Sequence, residues 1–197
     1  MVESVDSTIQ DSERMLYWLH RIQSATSEKW THSTMASLTA ALNRAPFVRR
    51  VRYPALWRNI LKIHGLKVKP TLPAAETAAH SEYLVAVFQY EILAFYHCSV
   101  TSLHGGPLAF PQEVVADPPS ATRDRMLRRL ARTAVRTVYA LGLDFALVHL
   151  ALAPRGIVQV CGVEPFPTMP HGIMAKYAAA LTDHAAAITE LGEMQDI

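Results

Sequence analysis

The sequence predicts an α+β protein in which an antiparallel sheet of two hairpins is packed by helices, with a helical segment at the N-terminal side. Three observations support this fold class. Apolar residues recur at helical spacing through the first 65 residues. Four short runs rich in β-branched and aromatic residues then follow as two close pairs. A long amphipathic helix separates the pairs, and another helix follows the second pair.

Three helices are predicted in residues 1–65, a segment expected to pack on or extend an αβ module formed by residues 66–197. Asp6 or Ser7 can cap the first helix, and the second spans about 33–43. Pro54 suits the first turn of the third helix, which ends near His64, before Gly65. The predicted apolar faces comprise Ile9, Met15, Leu16, Trp18, Leu19 and Ile22, then Met35, Leu38 and Leu42, then Leu56, Trp57, Ile60 and Leu61.

The first predicted hairpin joins strands at 83–88 and 92–98 through Gln89, Tyr90 and Glu91. Its turn lacks the Asn-Gly or Gly-Gly pair that marks the strongest hairpin signals. A loop from about 99 to 119, rich in glycine and proline, follows this hairpin. Its length of about 20 residues is unusual within one domain and is typical of functional segments.

The second hairpin is predicted from strands at 144–152 and 157–163, and it lies between two helices. The preceding helix spans about 120–141 and ends at Gly142, while the last helix spans about 172–191. Five arginines on the first of these helices return to one side, because spacings of three, four and seven residues share a helical face. They are Arg125, Arg128, Arg129, Arg132 and Arg136. No acidic residue lies between them, so this face predicts an acidic protein partner or a small anionic ligand, with a solvated helix face as the alternative.

The composition limits the classes of protein that fit. With 197 residues, 50% of them hydrophobic, the chain can bury a sizeable core, and a formal net charge of +2 indicates no bulk attraction to nucleic acid or membrane. Nucleic acid is the least favoured partner of the arginine face, which lacks interleaved aromatic residues. Two cysteines, Cys98 and Cys161, indicate a reducing compartment rather than a disulfide framework. A polar start and the lack of an apolar run of about 20 residues favour a cytoplasmic protein.

Several segments resemble the ATP-grasp enzymes. Residues 141–150, Leu-Gly-Leu-Asp-Phe-Ala-Leu-Val-His-Leu, followed by Gly156 and by Val-Glu-Pro-Phe-Pro at 163–167, resemble the final strand pair of that family. Residues 82–94 resemble its upstream hairpin, and residues 65–71 resemble the strand that opens its nucleotide-binding part. The resemblance covers residues 82–191 in order and spacing, and it implies an ATP-grasp C-terminal fold with ATP and Mg²⁺ as cofactors.

The metal-ligand positions differ from the family pattern. ATP-grasp enzymes use an aspartate, a glutamate and an asparagine of the last strand pair to hold Mg²⁺, and the matching positions here are His149, Gly162 and Glu164. Mg²⁺ prefers oxygen ligands, so this set is a poor replacement. Asp144 and Lys69 complete the predicted cofactor-binding group, with Lys69 or Lys67 in place of an ATP-contacting lysine. Only about ten residues separate Thr71 from Glu82, where the family has a phosphate-covering subdomain.

Three functions follow as hypotheses. The leading one is a non-catalytic or accessory ATP-grasp-like protein that binds a partner or a small anionic ligand, without a cofactor. The second is a divergent ATP-dependent carboxylate-amine ligase. The third is a metal-dependent enzyme that uses His149 and Glu164 with a softer ion such as Zn²⁺. Four further candidate ligands, His97, Cys98, His104 and His171, match no recognised ligand spacing. Homo-oligomerisation is compatible with all three hypotheses.

Overall fold

Helices cover both faces of a five-stranded sheet in the computed structural model of the protein. The structure describes residues 3–26, 28–43, 45–70, 81–99, 112–113, 121–167 and 171–195. Its elements, in chain order, are α1 (Glu3–Ala25), α2 (His32–Ala41), α3 (Ala45–Arg52), α4 (Pro54–Ile63), β1 (Ser81–Phe88), β2 (Glu91–Ser99), β3 (Gln112–Glu113), α5 (Ala121–Leu141), β4 (Phe145–Ala153), β5 (Ile157–Glu164) and α6 (His171–Gln195).

The strand order is β3-β2-β1-β4-β5, and every pairing between neighbouring strands is antiparallel. Both predicted hairpins are confirmed, and the pairing of β1 with β4 joins them into one sheet. The segment after α4 extends the sheet beyond β5 by a parallel bridge between Val68 and Val160. The N–H of Lys69 donates to the Val160 carbonyl at 2.9 Å, and the N–H of Val160 donates to the Lys67 carbonyl at 2.8 Å. The predicted α+β class is confirmed.

The turn between β1 and β2 contains two residues, Gln89 and Tyr90, rather than the three predicted, since Glu91 already pairs with Phe88. Both turn residues have positive φ, +45° and +68°, as a type I′ turn requires. The turn is supported from outside the hairpin. The backbone N–H of Gln89 donates to the Asp144 carbonyl at 2.6 Å, and its side-chain Nε2 lies 3.0 Å from Nδ1 of His184 on α6. Tertiary contacts therefore replace the glycine that the sequence lacks.

Helices α1, α2 and α6 pack on one face of the sheet. Trp18 of α1 stacks on Phe145 of β4, with ring centroids 4.7 Å apart, and its Nε1 donates to the Pro167 carbonyl at 2.7 Å. Trp30 donates a hydrogen bond to Thr182 of α6 at 2.9 Å. The buried residues that α1 and α2 contribute to this core are Met15, Trp18, Leu19, Ile22, Met35, Leu38 and Leu42. The helical faces predicted for these residues are confirmed, whereas the side chain of Ile9 lies outside the described part of the chain.

Helices α3, α4 and α5 pack on the opposite face. The predicted α4 is confirmed, with Trp57 and Leu61 buried, but Leu56 is 44% exposed and does not belong to the buried face. Helix α3 was not predicted, because three arginines and a proline in eight residues obscure its short apolar face. Val48 of that face is buried in this core, and Phe47 and Val51 pack against it.

Helices α5 and α6 and strands β4 and β5 agree with their predicted ranges within four residues at each end, whereas β3 was not predicted. Helix α5 begins at Ala121 and ends at Leu141, with Gly142 following at a φ of +71°. The predicted loop at 99–119 contains β3, whose residues Gln112 and Glu113 pair with β2; the other predicted features of this loop, including His104, lie outside the described residues. Within the described ranges, no helix has both the length and the apolar character needed to cross a membrane.

Candidate functional site

His149 and Glu164 meet on one face of the sheet, as the resemblance to ATP-grasp enzymes implies. The imidazole Nε2 lies 2.8 Å from Oε1 of Glu164, and the two side chains remain 33% and 45% exposed. Nε2 is itself shielded from solvent, and it lies close to the carboxylate without the alignment of a hydrogen bond. Among the three positions that resemble ATP-grasp metal ligands, the one carboxylate is therefore already in contact with an imidazole.

The backbone register explains why these two residues meet. His149 pairs with Gly162 across the β4–β5 hairpin, and Leu147 pairs with Glu164. An additional residue in β5, next to Leu150, bends the strand at this point. A Cβ atom at Gly162 would lie 3.6 Å from Cγ of His149. The imidazole therefore lies over the glycine and reaches the carboxylate two residues further along β5.

A second ion pair joins Lys69 and Glu82, whose Nζ and Oε1 atoms are 3.0 Å apart. Glu82 pairs with Ala151 on β4, two residues from His149, so both ion pairs lie on the same face because side chains alternate along a strand. The Lys69 carbonyl accepts a hydrogen bond from Arg58 at 2.9 Å. The structure thus brings Lys69 to the candidate site, but its ammonium group is already paired with a carboxylate.

Asp144 lies at the start of β4, where it binds Asn43. Its Oδ2 accepts from the Asn43 backbone N–H at 2.6 Å, and its own N–H donates to Oδ1 of Asn43 at 2.8 Å. The Asn43 side chain also donates to the carbonyls of Phe145 and Pro165, each at 3.0 Å. Asp144 therefore anchors the chain after α2. Sequence reasoning missed Asn43, and its only signal is a polar residue between two apolar helices.

The two cysteines, Cys98 and Cys161, are free and partly buried. Burial raises the pKa of both thiols, and the carboxylate of Glu82 adds to the effect at Cys98. Nearby Lys69 opposes the effect of burial on the pKa of Cys161. A raised pKa disfavours the thiolate that metals and electrophiles require. Among the described residues, no group of three or more histidine, cysteine, aspartate or glutamate side chains is placed to hold a metal ion.

The five predicted arginines of α5 are all exposed on one face of the helix. Two of them bind carbonyl groups at the ends of neighbouring elements. Arg136 donates to the His64 carbonyl at 2.7 Å, and Arg129 reaches the Gly156 carbonyl at 3.4 Å. Tyr139, 67% exposed, continues the same face and makes an edge contact with Tyr90, with ring centroids 5.8 Å apart. We call this set of five arginines and Tyr139 the arginine surface.

Comparison with known proteins identifies the fold. The sequence matches no protein-family model and no curated protein. Among solved structures, the D-alanine–D-alanine ligase from Bacillus anthracis complexed with ATP matches with a TM-score of 0.55 at 12% identity, over 82% of this chain and 75% of that chain. The ATP-grasp ligase PsnB complexed with its minimal precursor matches with a TM-score of 0.55 at 10% identity, over 77% and 69% of the two chains. This protein has an ATP-grasp-like fold.

The ATP-grasp likeness extends beyond the segment that carries the sequence motifs. Residues 66–197 make up two thirds of the chain, so a match over 82% of it includes part of the N-terminal helical segment. Shared packing explains this extension, because helices α1 to α4 contribute to the same two cores as the sheet. At 10–12% identity the likeness shows the fold alone.

Proposed function

We propose that this ATP-grasp-like protein is a non-catalytic binding protein, and that its arginine surface docks an acidic surface of a protein partner. The observation that carries the proposal is the arginine surface itself. Five exposed guanidinium groups share one face of α5, and residues 125–143 contain no acidic residue to offset them.

The residues of the candidate site do not fit a magnesium-nucleotide complex. Mg²⁺ requires near-octahedral coordination by oxygen, and the matching positions supply an imidazole, a glycine and one carboxylate. That carboxylate contacts Nε2 of His149 at 2.8 Å, and the ammonium of Lys69 contacts Glu82 at 3.0 Å. Phosphoryl transfer depends on positioning and charge neutralisation by the metal and cationic side chains. Metal binding and charge neutralisation by cationic side chains are both weakened here. This supports a binding role rather than a ligase activity.

The arginine surface has the chemistry of a protein interface. Arginine and tyrosine are enriched where proteins bind each other, because a guanidinium forms forked hydrogen bonds with carboxylates and tyrosine adds rigid apolar area. Arg129 and Arg136 are held in place by the carbonyls that they bind, which lowers the entropy lost on docking. Arg125, Arg128 and Arg132 are exposed between and beside them. An acidic partner is the complement of this charge pattern.

The proposal is tested with a labelled glutamate-rich peptide as the acidic probe, measured by fluorescence anisotropy at two salt concentrations. We expect saturable binding that weakens with salt, and a loss of about tenfold in affinity for the double variant Arg128→Glu, Arg132→Glu. The double variant Arg21→Glu, Lys29→Glu is the matched control, because it makes the same change in net charge at exposed positions of α1 and the segment after it.

Three results would overturn the proposal. Equal loss of affinity in both double variants would show that net charge, rather than the arginine surface, attracts the peptide. Micromolar affinity for MgATP by calorimetry, abolished by Glu164→Gln, would instead establish the divergent ligase. A single-stranded oligonucleotide that binds more tightly than the peptide at equal charge would assign the surface to nucleic acid.

A further inference from the structure

A cleft of about 300 Å³ opens beside the end of β5, between α1 and α3. Part of its wall is apolar. Val48 and Val51 line it from α3, while Val163 and Phe166 line it from β5 and the residues that follow. Val48 and Val163 belong to the buried core, so the floor of the cleft is held in place by packing. The size suits a small ligand, because it lies at the lower end of the range of about 300–1,000 Å³ that ligand pockets generally span.

Three charged residues complete the cleft. Arg14 of α1 and Arg52 of α3 line it together with Glu164 at the end of β5. Among the described residues, the lining therefore carries one excess positive charge. Helix α3 adds to the positive charge near the cleft, because its eight residues contain three arginines and no acidic residue. One of the three, Arg50, turns away toward the end of α5 and donates to the Leu141 carbonyl at 3.4 Å.

We propose that this cleft binds a small organic monoanion, a carboxylate attached to an apolar group about the size of a phenyl ring. Guanidinium groups bind a planar carboxylate through paired N–H donors, and the side chains of Arg14 and Arg52 line the cleft from two helices, Arg52 with further contacts within the protein. The valines and Phe166 bury the apolar group. Glu164 limits the charge of the ligand, because its carboxylate repels a dianion such as phosphate more strongly than a monoanion.

This cleft is independent of the arginine surface. It is built from α1, α3 and β5, whereas the arginine surface belongs to α5. If the acidic peptide does not bind, the proposal for the cleft still stands. If the cleft binds no ligand, the proposal for docking through α5 still stands. The two proposals are distinguished by Arg128→Glu, which we expect to weaken peptide binding and to leave the cleft unaffected.

The test uses benzoate as the probe and the full chain, with binding followed by amide NMR shifts and calorimetry. We expect saturable binding, with the largest shifts at residues 163–166 and in α3. Benzyl alcohol, which has the same ring and no charge, and inorganic phosphate should each bind at least tenfold more weakly. Arg14→Gln should weaken benzoate at least tenfold, because a charge-assisted hydrogen bond contributes more than a neutral one.

A control variant on the same helix makes the result decisive. Arg21→Gln removes an exposed arginine from the same helix, two turns away from the cleft, and should leave benzoate affinity unchanged. Arg52 also has contacts within the protein, so the exposed Arg14 is the cleaner test position. Equal binding of benzoate and benzyl alcohol, preferred binding of phosphate, an unchanged affinity in Arg14→Gln, or shifts outside the cleft would each overturn the proposal.

Discussion

Asn43 and Asp144 bind each other reciprocally across 101 residues of sequence. The Asn43 N–H donates to Oδ2 of Asp144 at 2.6 Å, and the Asp144 N–H donates to Oδ1 of Asn43 at 2.8 Å. Asn43 is only 4% exposed and has a φ of +41°. Its side chain satisfies backbone groups at the start of β4 and after β5, so one amide joins the N-terminal helices to the strands that carry the candidate site.

Replacing Asn43 should therefore destabilise the whole fold. Asn43→Ala leaves the N–H groups of Asp144 and Phe145 and the carbonyls of Phe145 and Pro165 without their side-chain partner. We expect a loss of about 3 kcal/mol in the free energy of unfolding, because buried polar groups without partners cost about 1–3 kcal/mol each. Urea denaturation measures it. Asn59→Ala, at an exposed position of α4, is the control, and a similar effect from both variants would contradict the proposed role.

Gly142 should be intolerant of any side chain. It ends α5 with a φ of +71°, and a Cβ there would lie 2.6 Å from Cδ1 of Phe47 on α3. We expect Gly142→Ala to lower the free energy of unfolding by more than about 2 kcal/mol, since backbone strain and overpacking add. Gly172→Ala is the matched comparison, because its Cβ would make ordinary contact 3.7 Å from the Tyr96 hydroxyl. Thermal unfolding of both variants provides the measurement, and equal midpoints would refute the argument.

The ion pair between His149 and Glu164 should contribute little to stability. Both side chains are partly exposed, and exposed ion pairs contribute about 0–1 kcal/mol because solvent screens them. A double-mutant cycle with His149→Gln and Glu164→Gln should give a coupling energy in that range. Added Mg²⁺ should not change the free energy of unfolding of the parent protein or of either variant. A coupling above about 2 kcal/mol would contradict this prediction. Stabilisation of the parent protein by Mg²⁺ that Glu164→Gln abolishes would argue for a metal site.

Cys98 and Cys161 should react slowly with thiol reagents. Burial raises the pKa of each thiol, so less thiolate is present near pH 8 than in an unfolded chain. Because the folded pKa is raised, any stability from this shift is complete below the unfolded pKa and is lost as pH rises through the folded pKa. Labelling with Ellman's reagent should therefore be slower in the native protein than in urea, and the difference should shrink toward alkaline pH. Equal rates in both states would contradict the pKa direction.

Local patterns predicted most of the fold. The helical faces of α1, α2 and α5 and the two hairpins were predicted because each buries residues at a regular spacing. Helix α3 was not predicted, since a short helix in a basic segment shows its apolar face only through its tertiary packing. The exposure of Leu56 on α4 was not predicted either. The two-residue turn at Gln89 was also not predicted, because the hydrogen bonds that stabilise it come from Asp144 and from His184 on α6.

For the candidate site, the sequence by itself determined that His149 and Glu164 lie on one face of the sheet, because strand alternation and hairpin order place them there. Only the tertiary structure decided what those side chains contact. The imidazole lies over Gly162, its partner in the β4–β5 register, Asp144 is engaged by Asn43, and Arg14 and Arg52 line one cleft from separate helices. Such contacts join residues that are distant in sequence, and periodicity within one element carries no information about them.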